Sequence, residues 1–333
     1  MKKFIYKLIA CFFIVSIPGI FLLALYCYSD PFRIIRKYDF ALNSPVPLNR
    51  DYVSTELYLS QKDKFKYNSF IFGSSRAISF NADSWKTHLD SGAIPFKFDA
   101  AGEGLFGIYT KIKFLDTNHL KMDNALILFC RNAISETENS DRHLSIKDPK
   151  VSGEGWLKFH FVSLKAFLNI KFLMGYYYYE LTGKQNGLTN GIIQVNKISL
   201  DTKSNQIKIV SLDSLLNADL NGYYAKRKNI FYKREGDTFE KKNLIEDKQL
   251  KMLKEIKRIL EKNKTNYKII LTPLYDEIKF SPQDQKTLTG IFGENLFDFT
   301  GKNEITENIT NWYETDHFRP FVADSMMNIV YKK

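Results

Sequence analysis

Apolar positions fall into three kinds of run along this chain, and each kind predicts a different element. The first run, Phe4 to Tyr28, is almost unbroken except at Lys7, long enough to cross a hydrocarbon core of about 30 Å. It predicts an N-terminal transmembrane helix within residues 1–29, with Lys2, Lys3 and Lys7 on the cytoplasmic side. The second kind is short and apolar on both faces, as in Ser69–Phe72, Pro95–Asp99, Ala125–Cys130, Lys268–Thr272 and Leu296–Phe299. Such runs read as buried parallel strands. The third kind has helical spacing: Leu250, Leu253, Ile256, Ile259 and Leu260 recur among lysines and glutamates, predicting an amphipathic helix over about 246–263. Further helices are expected from 75, over 104–118 and from about 321. Strand and helix alternate, which predicts an α/β fold with a doubly wound parallel sheet in three layers, α/β/α.

The alternation breaks between about 135 and 245, which reads as an insertion or lid. Its first half clusters Trp156, Phe159, Phe161, Phe167 and Phe172 with Lys158, Lys165 and Lys171, too apolar for a solvated helix and too interrupted to span a bilayer. Two readings stay open: a helix packed on the domain, or one lying at the membrane surface or on a membrane partner. Tyr176 to Tyr179 are packing residues or the lining of a carbohydrate groove. A hairpin is expected around Gln206–Val210. The organisation expected is thus an anchor at 1–29, a linker and entry segment at 30–66, and one domain at 67–333 carrying the insertion.

Length and composition suit that organisation, since 333 residues less the anchor and linker leave about 290, the size of one large α/β domain. Leu25-Tyr26-Cys27-Tyr28 ends the apolar run without a small-x-small cleavage site, so an uncleaved, single-pass anchor in the cytoplasmic membrane is expected, with the rest extracytoplasmic. Of three cysteines, Cys11 and Cys27 belong to the anchor and only Cys130 to the domain, leaving no disulfide framework there. The five histidines are scattered without ligand spacing, so neither a metal nor another cofactor is expected. Net charge is +11, or +8 without the three anchor lysines. That favours polyanionic partners, but no Lys/Arg block resembles a nucleic-acid arm.

Candidate chemistry lies at the two ends of the domain. Phe72-Gly73-Ser74-Ser75-Arg76 follows the first strand, which puts Ser75 on the turn that starts a helix, where free N–H groups suit an oxyanion. Glu314-Thr315-Asp316-His317 near the C-terminus supplies a base and an acid three residues apart, close enough for the carboxylate to reach one ring nitrogen while the other faces Ser75. Asp316 is the rival acid, and Ser74 the rival serine. Arg76, next to the nucleophile, either holds an anionic group or partners a buried carboxylate.

In this order the two motifs resemble the SGNH/GDSL hydrolase superfamily, with a nucleophile near the start of the domain and an acid-x-x-His element near its end. Ala100-Ala101-Gly102-Glu103-Gly104 resembles the family's second block, which implies an oxyanion N–H from Gly104, or else Gly102. Cys130-Arg131-Asn132 stands where Gly-x-Asn is usual, implying Asn132 as an oxyanion donor; Arg131 beside it is a candidate substrate-binding residue. The first block has Ser74 where the family has aspartate. Gly-Ser-Ser and the ending Trp312–Pro320 are similar to a membrane-anchored branch that includes the teichoic acid D-alanyl-transfer and alginate O-acetyltransferase proteins. The resemblance covers about residues 40–135 and 245–333. It implies a serine acyltransferase or esterase acting on a cell-envelope glycan or teichoic-type polymer, beside a multi-spanning membrane O-acyltransferase. A catalytically inactive envelope scaffold and a secreted lipid esterase are the other expectations.

Overall fold

The computed structural model describes residues 2–40, 43–194, 198–236 and 238–332, the side chains of Lys2 and residues 8–15 excepted. Helix α1 (Lys2–Ser29) takes up the first apolar run. Among the described residues no helix is long and apolar enough to cross a membrane; part of the expected span, including Cys11, lies outside the described side chains.

The segment expected to be a linker is folded. Asp30 is buried, and its carboxylate accepts the N–H groups of Ile34, Ile35 and Arg36 at 3.0–3.1 Å, which ties the end of α1 into the domain. Helix α2 (Arg50–Phe65) follows, capped by Asn49, and buries Val53, Leu57 and Tyr58 in the core.

Five parallel strands form the central sheet: β1 (Ser69–Phe72), β2 (Pro95–Lys97), β3 (Asn124–Phe129), β4 (Asn266–Leu271) and β5 (Leu296–Asp298), in the order β2-β1-β3-β4-β5. Their residues alternate between two cores, as the pleat requires. Phe70, Phe72, Ile127, Phe129, Ile269 and Leu271 face one layer, made by α2, Leu105–Thr117 and Asp247–Lys262. Ile71, Leu126, Leu128 and Ile270 face the other, where Phe80, Trp85 and the last helix, Pro320–Val330, pack. The fold is therefore a three-layer α/β arrangement, as the alternation predicts. The helix expected at 246–263 runs Asp247–Lys262 behind a Glu246/Gln249 capping box.

The insertion is built of helices and a hairpin. Two helices, Trp156–Phe167 and Ile170–Thr182, pack beside the end of α1, so Tyr176–Tyr179 are helical. The expected hairpin pairs Ile198–Asp201 with Gln206–Ile209 and docks on the edge of β2: Ser204 O accepts from Lys97 N at 3.0 Å, and the Asn205 amide donates to Lys97 O at 2.5 Å. It thereby covers an exposed sheet edge.

Candidate active site

Loops leaving the C-terminal ends of β1, β2 and β3 meet where the strand order reverses, the usual ligand position in an open parallel sheet. They enclose a pocket of about 360 Å³ lined by Ser74, Ser75, Arg76, Gly102, Glu103, Cys130, Asn132, Glu136 and Arg142, among others.

Ser75 opens a five-residue 3-10 turn, Ser75–Ser79, and not the full helix expected. The turn stops because Phe80 N closes on Ala77 O and Asn81 then caps a separate short helix, Ala82–Lys86. It is braced from below by Lys97 of β2, whose Nζ donates to Ala77 O at 2.5 Å and Ile78 O at 3.4 Å. Full burial pushes the Lys97 ammonium down to about 7. Before the turn, a Cβ on Gly73 would sit 2.9 Å from the Leu128 Cβ, so only glycine lets β1 leave the sheet this close to β3.

The late motif is a tight antiparallel hairpin, Trp312–Glu314 paired with His317–Phe318, and Glu314 lies directly opposite His317 across the turn. His317 Nδ1 meets a Glu314 carboxylate oxygen, and Nε2 stands 2.6 Å from Ser75 Oγ. A carboxylate can only accept, so Nδ1 carries the proton and Nε2 is left free to take one from Ser75. The other Glu314 oxygen accepts Asp316 N–H at 2.7 Å. Burial alone would raise the Glu314 pKa, but the His317 hydrogen bond and charge, the Asp316 N–H and Arg76 outweigh it and hold the carboxyl below the usual range. Asp316 does not reach the ring. Its carboxylate lies 3.4 Å from Arg76.

Hairpin and nucleophile turn are locked together: Ser79 Oγ donates to Phe318 O at 2.5 Å, and Phe80 packs edge-on against Phe318. The insertion supports the hairpin from its other side. Tyr223 and Tyr224 hydroxyls donate to the carbonyls of Tyr313 and Trp312 at 2.8 and 2.7 Å, and Tyr313 in turn bonds Asp213. The 135–245 segment thus buttresses the strand that carries Glu314.

Two of the expected residues are not among those lining the pocket. Gly104 is absent from the pocket wall, because it caps Leu105–Thr117 against Glu136, whose Cβ would be 2.4 Å from any Cβ at 104. Close packing explains that glycine. Gly102 lines the pocket instead, at φ +60°, a conformation that favours glycine. The loop is held from beneath by a buried ion network in which Glu103 bonds Lys111 and Lys147 at 2.5 Å each and Lys111 bonds Asp51 at 2.8 Å. Arg131 likewise leaves the wall, its guanidinium engaged by Glu240 at 3.0 Å and by Asp276.

Arg76 lines the pocket, and its guanidinium bonds Cys130 Sγ at 3.1 Å and the exposed carboxylate of Asp316, not a buried one. Asn132 is on the wall, and its side-chain amide has no hydrogen-bond partner among the described residues. Neither does the Ser75 backbone N–H. Arg142 was not anticipated: it stands exposed on the rim with no ion-pair partner among the described residues. No periodicity or motif marks it. Among the described residues no group of three or more His, Cys, Asp or Glu side chains could hold a metal ion.

Compared with protein-family models and with curated proteins, the chain matches none.

Proposed function

We propose that this protein is a membrane-anchored serine acyltransferase or esterase of SGNH type, acting on a hydroxyl-bearing cell-envelope polymer. The observation that carries the reading is the contact of Ser75 Oγ with His317 Nε2 at 2.6 Å while Glu314 occupies Nδ1. A serine, a base and an orienting acid in that chain of contacts are what activation of a hydroxyl requires.

In the first half-reaction Ser75 Oγ bonds to the acyl carbon as His317 Nε2 takes the hydroxyl proton, and the carbonyl electron pair moves to oxygen. Ser75 N–H, Gly102 N–H and the Asn132 amide, all on the pocket wall, are the donors available to that oxyanion. Collapse breaks the bond to the leaving group, which departs with the proton from His317. An acceptor hydroxyl then bonds to the acyl carbon, His317 takes its proton, and Ser75 Oγ leaves and is reprotonated; with water as acceptor the same steps are hydrolysis. Glu314 remains ionised throughout and steadies the imidazolium.

The anchor reading is supported by α1, whose 28 residues extend about 42 Å at 1.5 Å each, and by the near absence of charge from Phe4 to Tyr28. It puts the domain on the extracytoplasmic side of the cytoplasmic membrane, where the motif resemblance implies a multi-spanning O-acyltransferase as acyl donor. Arg142, exposed on the rim, is the group on the wall that could meet an anionic acceptor, although Glu103 and Glu136 line the same pocket. The full chain in detergent should hydrolyse 4-nitrophenyl acetate, and Ser75→Ala and His317→Ala should each reduce the rate to background with melting unchanged. Wild-type rates in both folded variants would refute the reading and leave the inactive-scaffold alternative.

A further inference from the structure

The helix Trp156–Phe167 has two apolar sides. Phe159 and Phe167 are buried inward, whereas Trp156, Leu157 and Phe161 are 63%, 77% and 66% exposed. Leu157, Phe161, Leu164 and Leu168 recur at intervals of four, three and four, which is one continuous helical stripe. The next helix, Ile170–Thr182, adds exposed Ile170, Met174 and Leu181. Contiguous exposed apolar surface on this scale marks an interaction site.

What covers it is indicated by where it leads. Leu23, Tyr26 and Cys27 of α1 share the wall of one apolar cleft, about 890 Å³, with Trp156, Leu157, Phe161 and Leu164. Tyr26 packs on Phe167 beneath the cleft with ring centroids 5.1 Å apart, and Leu23 on its wall belongs to the exposed apolar surface of α1 with Ile20 and Phe21, so stripe and α1 surface meet there. The junction is stiff, because Asp30 accepts three N–H groups and Phe32 and Ile34 are buried. Lys165 and Lys171 are exposed and have no ion-pair partner among the described residues, and Tyr28, near the end of α1, is 82% exposed. Apolar stripe, exposed aromatics and free lysines together are the composition of a helix lying in a bilayer interface with anionic headgroups.

We infer that the helix pair 156–182 is a second membrane seat, with the Trp156–Leu157–Phe161 edge and the cleft behind it filled by lipid acyl chains. The seat rests on the anchored reading and adds orientation to it: the domain lies against the bilayer at a fixed height and does not hang on a flexible tether. A rigidly oriented domain keeps Ser75 at one distance from a membrane-embedded donor, which raises the effective concentration of each for the other.

The test uses intrinsic fluorescence, since Trp85 and Trp312 are fully buried and only Trp156 can meet lipid. The full chain is reconstituted into vesicles of phosphatidylcholine and phosphatidylglycerol, with and without phosphatidylcholine brominated near the headgroup end of its acyl chains. Brominated lipid should quench most of the Trp156 emission, and Trp156→Phe should abolish the quenching while the protein still floats with the vesicles. Leu157→Ser with Phe161→Ser should at least halve it. If the chain floats but its emission is indifferent to bromine, the seat is wrong and the anchor stands; if the chain does not float, both fail.

Discussion

Replacing Glu314 with glutamine changes two hydrogen bonds at once, because each carboxylate oxygen has its own partner. One Glu314 oxygen faces His317 Nδ1 and the other accepts Asp316 N–H at 2.7 Å. Glutamine has a single acceptor oxygen. If that oxygen stays on Asp316 N–H, the amide NH₂ faces Nδ1, which must then be unprotonated, so the ring proton moves to Nε2 and points at Ser75. The base is lost. If the amide turns over, the tautomer survives but two donors collide at Asp316 N, forfeiting about 1.5–3 kcal/mol of charge-assisted bonding, and the imidazolium loses its counter-charge. A reversed tautomer costs about 10⁴ in rate in a well-studied serine triad, and a mixture of the two arrangements predicts a loss of about 10³ in kcat/KM, near 4 kcal/mol. Asp316→Asn is the control. Its carboxylate is mostly exposed and faces only Arg76, so it should cost less than about fivefold. Ester hydrolysis by the two variants, with melting curves to confirm folding, decides the matter. A loss below tenfold for Glu314→Gln, or a larger loss for Asp316→Asn, would refute the assignment of the acid.

Three other outcomes are expected. Arg142→Gln should raise KM for a negatively charged ester by about two- to fivefold, the usual worth of one exposed charge, leave kcat unchanged and not affect a neutral ester. Gly104→Ala should destabilise the fold by about 1–3 kcal/mol in chemical denaturation, because the added methyl must displace Glu136. Asp148, a helix cap deep in the fold, has its pKa raised to about 7, chiefly by burial. The native protein holds this proton more tightly than the unfolded chain, so the associated stability is complete below about pH 4 and is lost as pH rises through about 7. Asp148→Asn keeps the cap acceptor and removes that dependence. Relative to wild type, its Tm should therefore rise between about pH 5 and pH 8, by at most the equivalent of about 4 kcal/mol.

What could be read from the sequence divides along the kind of signal each element carries. β1, β3 and β4 are apolar on both faces and helix 247–262 is periodic, so burial alone reveals them. Helix α2 is invisible to the same test, because its inward face includes Arg50, Asp51, Ser54 and Thr55, with Arg50 and Asp51 satisfied by partners as distant as Asp99, Lys111 and Asn205. The contacts among Ser75, His317 and Glu314 could be expected from two short motifs, although spacing left Ser74 and Asp316 as rivals until the geometry separated them. The sequence does not reveal that Glu136 packs on Gly104 or that Glu240 and Asp276 pair with Arg131, because these partners come from distant segments. Arg142 reaches the rim only through the course of the insertion.

An activated Ser75 nucleophile is open to direct covalent labelling. A fluorophosphonate probe, with intact mass and peptide mapping as the readout, should add one phosphonyl group to the folded wild-type chain, at Ser75. Ser74→Ala should still be labelled, Ser75→Ala should not, and His317→Ala should label far more slowly. A folded wild-type chain that stays unlabelled, or a label that persists in Ser75→Ala, would contradict it.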